Sequence, residues 1–188
     1  MTFNPQLTLR IAALAIGAGL LEVVAVSQVP LFGAVADLSP LVIMAIGLLT
    51  GSISGAVAGF GLGLFLDLAL FQTMGVSSLI YTTVGYGAGR LRELRDPQGA
   101  GVPVVTGAAA TAIATVGYSV IQFLLGVDSP VSWLLLRDIV ATIVVNALIS
   151  VPVFAVSRRW LSPVLPDDPR RRRRRAYTTG GLSPLSRA

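Results

Sequence analysis

The sequence predicts an all-α integral membrane protein of about six transmembrane helices. Three observations lead there. The 188 residues are 54% hydrophobic and only 12% charged, about half the charged share of a soluble domain, whose surface needs charge to meet water. Mean hydropathy is +0.79. Apolar runs near the ~20 residues that cross a ~30 Å hydrocarbon core as a helix recur along the chain, with Gly, Pro, Asp or Arg between them.

The first span runs from about Leu7 to Val29. One Arg precedes its apolar stretch and further apolar runs follow it, so it reads as a retained span and not as a secretory leader. Pro30, Gly33 and Asp37 mark a turn. The apolar sequence from Leu38 to Phe71 would be about 50 Å long as one helix, too long for a single crossing. It breaks where helix propensity is lowest, at Thr50-Gly51-Ser52-Ile53-Ser54-Gly55. That leaves a short second span from Leu38 to Leu49, tilted or incomplete in the membrane, and a third from Ser54 to Phe71. A loop from Gln72 to Gly75 leads to a fourth span ending near Gly89. A polar loop with Arg90, Arg92, Glu93, Arg95 and Asp96 precedes the fifth span, Val102 to Leu125. Asp128, Ser129 and Pro130 turn the chain into the sixth, Trp133 to Val156, which closes at Arg158 and Arg159. Residues 1–160 thus form one transmembrane domain. Residues 161–188 are rich in Pro and Arg, then in Gly, Ser and Thr, and lack the apolar surface to fold; they read as a disordered cytoplasmic tail.

Every basic residue is Arg, and six of the 14 stand together as Arg170, Arg171, Arg172, Arg173, Arg174 and Arg175. Removing those six positive charges takes the net charge from +5 to −1, so the basic character belongs to the tail. Arg in short loops marks the cytoplasmic side. Arg10, the Arg90–Arg95 loop and the chain from Arg158 onward lie inside on this reading, and the Arg-free loops near Asp37, Gln72 and Asp128 lie outside. Both termini are then cytoplasmic and the span number is even: six, or four if the second and third spans form one re-entrant hairpin. The expected location is the bacterial inner membrane.

The chain has no Cys and no His, which excludes disulfides, thiolate metal sites and Ser-His catalysis. No nucleophile–base set and no metal-ligand spacing is present, so neither an enzyme nor a cofactor is expected. Three polar or small-residue patterns remain. Gly47, Gly51, Gly55, Gly59 and Gly63 recur every four residues, with Gly85 and Gly89 in the fourth span. That step keeps them on one helix face where backbones approach closely, for internal packing or for a partner's helix. Glu22, Asp67, Gln122, Arg137 and Asp138 fall in the outer half of their spans, and Asn146 lies mid-span. Charges at such depth are costly and turn inward. Arg137 is therefore expected to pair with Asp67 or Glu22, as a structural cluster, a ligand pocket or a partner contact, and Asn146 to hydrogen-bond between helices. The run from Arg170 to Arg175, just inside a membrane span, suits anionic lipid headgroups better than nucleic acid.

The stretch Gly55-Ala-Val-Ala-Gly59-Phe60-Gly-Leu-Gly63-Leu-Phe-Leu-Asp67-Leu68, then Met74-Gly75-Val76, then Gly85-Tyr86-Gly87-Ala88-Gly89, resembles the rod-shape-determining membrane protein family MreD. Asp37-Leu38, Val102-Pro103, Val131-Ser132-Trp133 and the segment from Asn146 to Pro152 extend the likeness over about residues 7 to 160. The resemblance implies a non-enzymatic role in lateral cell-wall growth. The implied partners are MreC and the wider elongation complex of MreB, RodA and a class B penicillin-binding protein. The family also looks like the substrate-binding subunits of energy-coupling-factor vitamin transporters, which implies the alternative of a small-molecule binder opening outward.

Overall fold

The computed structural model describes residues 5–24, 30–31, 34–35, 37–94, 101–126 and 133–165. Six helices make up the body: α1 Pro5–Val24, α2 Leu38–Thr50, α3 Ser52–Ala69, α4 Val76–Leu94, α5 Val102–Leu124 and α6 Trp133–Leu161. Between α1 and α2 lies a small antiparallel ladder of β1 Pro30–Leu31 and β2 Ala34–Val35, in which Pro30 faces Val35 and Leu31 faces Ala34. The sequence shows only a turn there. Helices α1, α3, α5 and α6 are long and apolar enough to cross a membrane. Helix α4 has 19 residues but is diluted by Ser77, Ser78, Thr82 and Thr83 and by the charges of its last turns.

The short helix α2 is the centre of the bundle. Ten of its 13 residues are buried, and Leu41, Ile43, Met44, Ala45 and Ile46 have no exposed surface at all. It packs against each of the other five helices. A helix that is apolar all round belongs inside, and at about 20 Å it is shorter than the hydrocarbon core. Its end is set by Gly51, whose φ of 104° lies where only glycine sits without strain. That single residue separates α2 from α3, inside the expected break.

Helices α3 and α4 form the tightest pair, and glycines permit it. A Cβ built on Gly59 would overlap the Tyr81 carbonyl, one on Gly63 the backbone of Ser77 and Ser78, and one on Gly89 the backbone of Gly51 and Ser52. Gly55 and Gly85 would each strike the other's carbonyl. A Cβ on Gly47 would lie 2.5 Å from the Gly85 carbonyl oxygen, tying α2 into the same seam. Gly61 and Gly87, on the opposite faces, have nothing within 4 Å.

The opposite pattern covers the outside. Leu9, Val57, Leu79, Val105, Leu148 and many other large apolar side chains are exposed, as a lipid-facing surface requires. Hydroxyls on α5 bond within their own helix: Thr106, Thr111, Thr115 and Ser119 each donate to the carbonyl four residues back. Helix α6 runs beyond the expected end near Val156, and packing continues through Leu161, fully buried, to Leu165 against the core. Arg158 and Arg159 sit inside its last turn, where positive charge complements the helix dipole. At the same end Arg10 of α1 donates to the Trp160 carbonyl oxygen at 2.9 Å.

Candidate functional site

The intramembrane polar residues do not gather into one charge cluster. Glu22 and Asp67 each find a helix start instead, as does Glu93 at the other end of the bundle. Glu22, near the end of α1, accepts the Ser39 backbone N–H at 2.8 Å and also the Ser39 hydroxyl, both on Oε2. It thereby caps α2 from a neighbouring helix. Asp67, near the end of α3 and 1% exposed, accepts the N–H of Gly75 at 2.7 Å and of Ser77 at 3.3 Å. It closes the start of α4. Glu93, in the last turn of α4, accepts the Ser52 N–H at 3.1 Å and the Ser52 hydroxyl at 2.6 Å. It caps α3. The first N–H groups of a helix have no partner within it and carry partial positive charge, so a carboxylate from a second helix satisfies both needs.

Asn146 of α6, fully buried, does for backbone what the acids do for helix starts. Its Oδ1 accepts the Asp37 N–H at 3.2 Å, and its Nδ2 donates to the Asp37 carbonyl at 2.9 Å and to the Thr111 hydroxyl at 3.1 Å. One side chain thus joins α6, α5 and the entry to α2. Gln122 donates to the Tyr118 hydroxyl one turn earlier in its own helix at 2.7 Å.

The expected ion pair of Arg137 with Glu22 or Asp67 is not formed. Among the described residues the ion pair is Arg90–Glu93, at 3.3 Å and three residues apart on α4. Arg137 is exposed. It lies four residues into α6, where a long side chain reaches the interface without entering the bundle, while the acids are already occupied by backbone donors. Asp138, also exposed, separates from Arg137 and lines a cavity together with Glu22. Arg170 to Arg175 lie outside the described residues.

That cavity, of about 320 Å³, occupies the end of the bundle where α1, α3 and α5 finish and α2, α4 and α6 begin. Its walls include Asp37, Tyr81, Tyr118 and Gln72, none of which the polar pattern of the spans singles out. Asp37 reads as a turn residue in the sequence, and nothing there singles out Tyr81 or Tyr118. Ser39 and Ser52 are also missed, although a Ser at the start of an apolar run is a helix-start signal that points to them.

A family model described as rod shape-determining protein MreD matches residues 3–160. The chain belongs to the MreD family. No curated protein and no solved structure matches it. The matched span covers all six helices as far as Trp160, so the glycine seam, the three cross-helix caps and the cavity all belong to the MreD portion. The protein is a rod-shape-determining membrane protein.

The Glu93 cap carries a pH dependence. Hydrogen bonds from the Ser52 hydroxyl and N–H hold its carboxyl below the ordinary value of 4.5. A lowered folded-state value contributes stability that is present above 4.5 and lost as pH falls through the folded value. Glu93→Gln is therefore expected to lower the unfolding temperature slightly at neutral pH and to converge with the unchanged protein in acid. Parallel melting curves for the two proteins at every pH would contradict this role.

Proposed function

We propose that the protein is a membrane component of the bacterial cell-elongation complex that maintains rod shape by supporting lateral peptidoglycan synthesis through interaction with MreC. Membership of the MreD family across the whole six-helix body carries this reading. MreB, RodA and a class B penicillin-binding protein complete the assembly. The protein acts as a scaffold and not as an enzyme: the carboxyls of Glu22, Asp67 and Glu93 are engaged as helix caps, which suits holding an arrangement of helices. The six-helix body forms the membrane domain in the inner membrane, and the tail beyond it carries the Arg run to the cytoplasmic lipid surface.

Purification in mild detergent is expected to recover MreC. Recovery of an ATPase pair instead would favour a substrate-binding subunit of a vitamin transporter. Both termini lie in the cytoplasm on this reading, supported by the side on which Arg10, Arg90, Arg92, Arg158 and Arg159 fall. A periplasm-active reporter fused after Arg187 is expected to be silent and one inserted at Ser129 active. The reverse pattern would overturn the orientation.

A further inference from the structure

The cavity at the Asp37 end contains carboxyls without countercharge. Glu22 from α1, Asp37 at the entry to α2 and Asp138 from α6 line it, and among the described residues no Arg does; the chain has no Lys or His. The Glu22 and Asp37 carboxyls are neighbours. Asp37 stands at the N-cap position of α2, where an aspartate ordinarily accepts from the helix's first N–H groups. It makes no such side-chain bond. Its Oδ1 is buried and, among the described residues, has no hydrogen-bond partner. Glu22 has taken over the capping of α2 through Ser39 and also bonds the Asp37 carboxyl, which leaves Asp37 Oδ1 as the oxygen open to a ligand. A buried carboxyl oxygen without a partner is costly, and a cavity wall is where a ligand would supply that partner.

We propose that this cavity binds a small organic cation, a ligand carrying an ammonium or guanidinium group, with Asp37 and Asp138 as its charge partners. A bare metal ion does not fit: among the described residues no three acidic side chains converge on one point. The carboxyls are instead spread over three elements around about 320 Å³, at the lower end of the ~300–1,000 Å³ typical of small-molecule sites. Tyr81 and Tyr118 add aromatic wall, which suits the methylene or ammonium part of such a ligand. The cation comes either from a free amine or from the amino headgroup of a phospholipid, since the cavity lies at a bundle end.

The test uses the full-length protein purified in maltoside detergent and phosphate buffer, with agmatine and spermidine as probes and succinate as the anionic control. Calorimetry and thermal unfolding are expected to show saturable binding of the amines and none of succinate. Asp138→Asn, at an exposed position, leaves the fold intact and is expected to weaken amine binding at least about tenfold, the loss of one good charge contact. Asp37→Asn is expected to do the same. If that variant does not fold, the Asp138 variant decides. Repeating the titration in phosphatidylglycerol nanodiscs with and without phosphatidylethanolamine identifies the source. Competition by the ethanolamine lipid assigns the site to a headgroup amine, and undiminished binding assigns it to a free one. No saturable binding of either amine, or unchanged affinity in the Asp138 variant, overturns the proposal.

Discussion

Gly59→Leu is expected to abolish the folded protein. Position 59 faces the Tyr81 carbonyl and the Thr82 nitrogen across the α3–α4 seam, and both are backbone. A flexible side chain gives way to an intruding methyl group, but a helix backbone moves only as a whole. Separating α3 from α4 also opens the contacts at Gly55, Gly63, Gly85 and Gly89, because all lie along the same seam. Overpacking of a core typically costs about 1–3 kcal/mol, and an intrusion that parts two backbones exceeds that range. Gly61→Leu, two residues away with nothing within 4 Å, is the matched control and should change stability by no more than about 0.5 kcal/mol. Fluorescence-detected size exclusion of both variants checks this. A monodisperse Gly59→Leu protein that melts with the unchanged one would show that the seam is not close-packed.

Asn146→Leu is expected to be the second most damaging change, at about 2–4 kcal/mol. Leucine keeps the same branched outline of four heavy atoms, and its bulkier methyls add some overpacking. What is lost is polar satisfaction. The Asp37 N–H and carbonyl and the Thr111 hydroxyl all bond to Asn146, and an orphaned buried group costs about 1–3 kcal/mol. Thr111 keeps its donation to the Gly107 carbonyl, so its share of the loss is the smaller. Thr111→Val should therefore be milder, and combining the two should cost less than their sum, since they share a bond. Thermal unfolding of the two single variants and the double variant measures this. Full additivity would show that the contact carries no energy.

Helix positions were legible because punctuation is local. Gly51 ends α2 within the low-propensity stretch that the sequence marks, and Val102-Pro103 opens α5 where Pro is tolerated. The ends of α4 and α6 extend further than the sequence suggested, to Leu94 and Leu161. Arg90, Arg92, Arg158 and Arg159 look like loop residues beside an apolar run, yet positive charge in a last turn favours the helix. Depth along each span was legible too. Glu22, Asp67 and Asp138 do lie toward one end. Azimuth was not, because it depends on how the helices rotate against one another. That is why Arg137 looked like a partner for Asp67, while the structure turns it outward and gives Asp67 two backbone N–H groups.

The burial of α2 has a consequence for biogenesis. A 13-residue helix is too short to be handed to the bilayer as an independent segment, and its surface is covered only when α1, α3, α4, α5 and α6 are all in place. During synthesis α2 emerges before four of those five covers. Its surroundings are therefore complete only once α6 brings Asn146 to the Asp37 backbone. The end of the chain thus locks what the beginning laid down, so a ribosome that stops before α6 leaves a protein with its central helix unsealed.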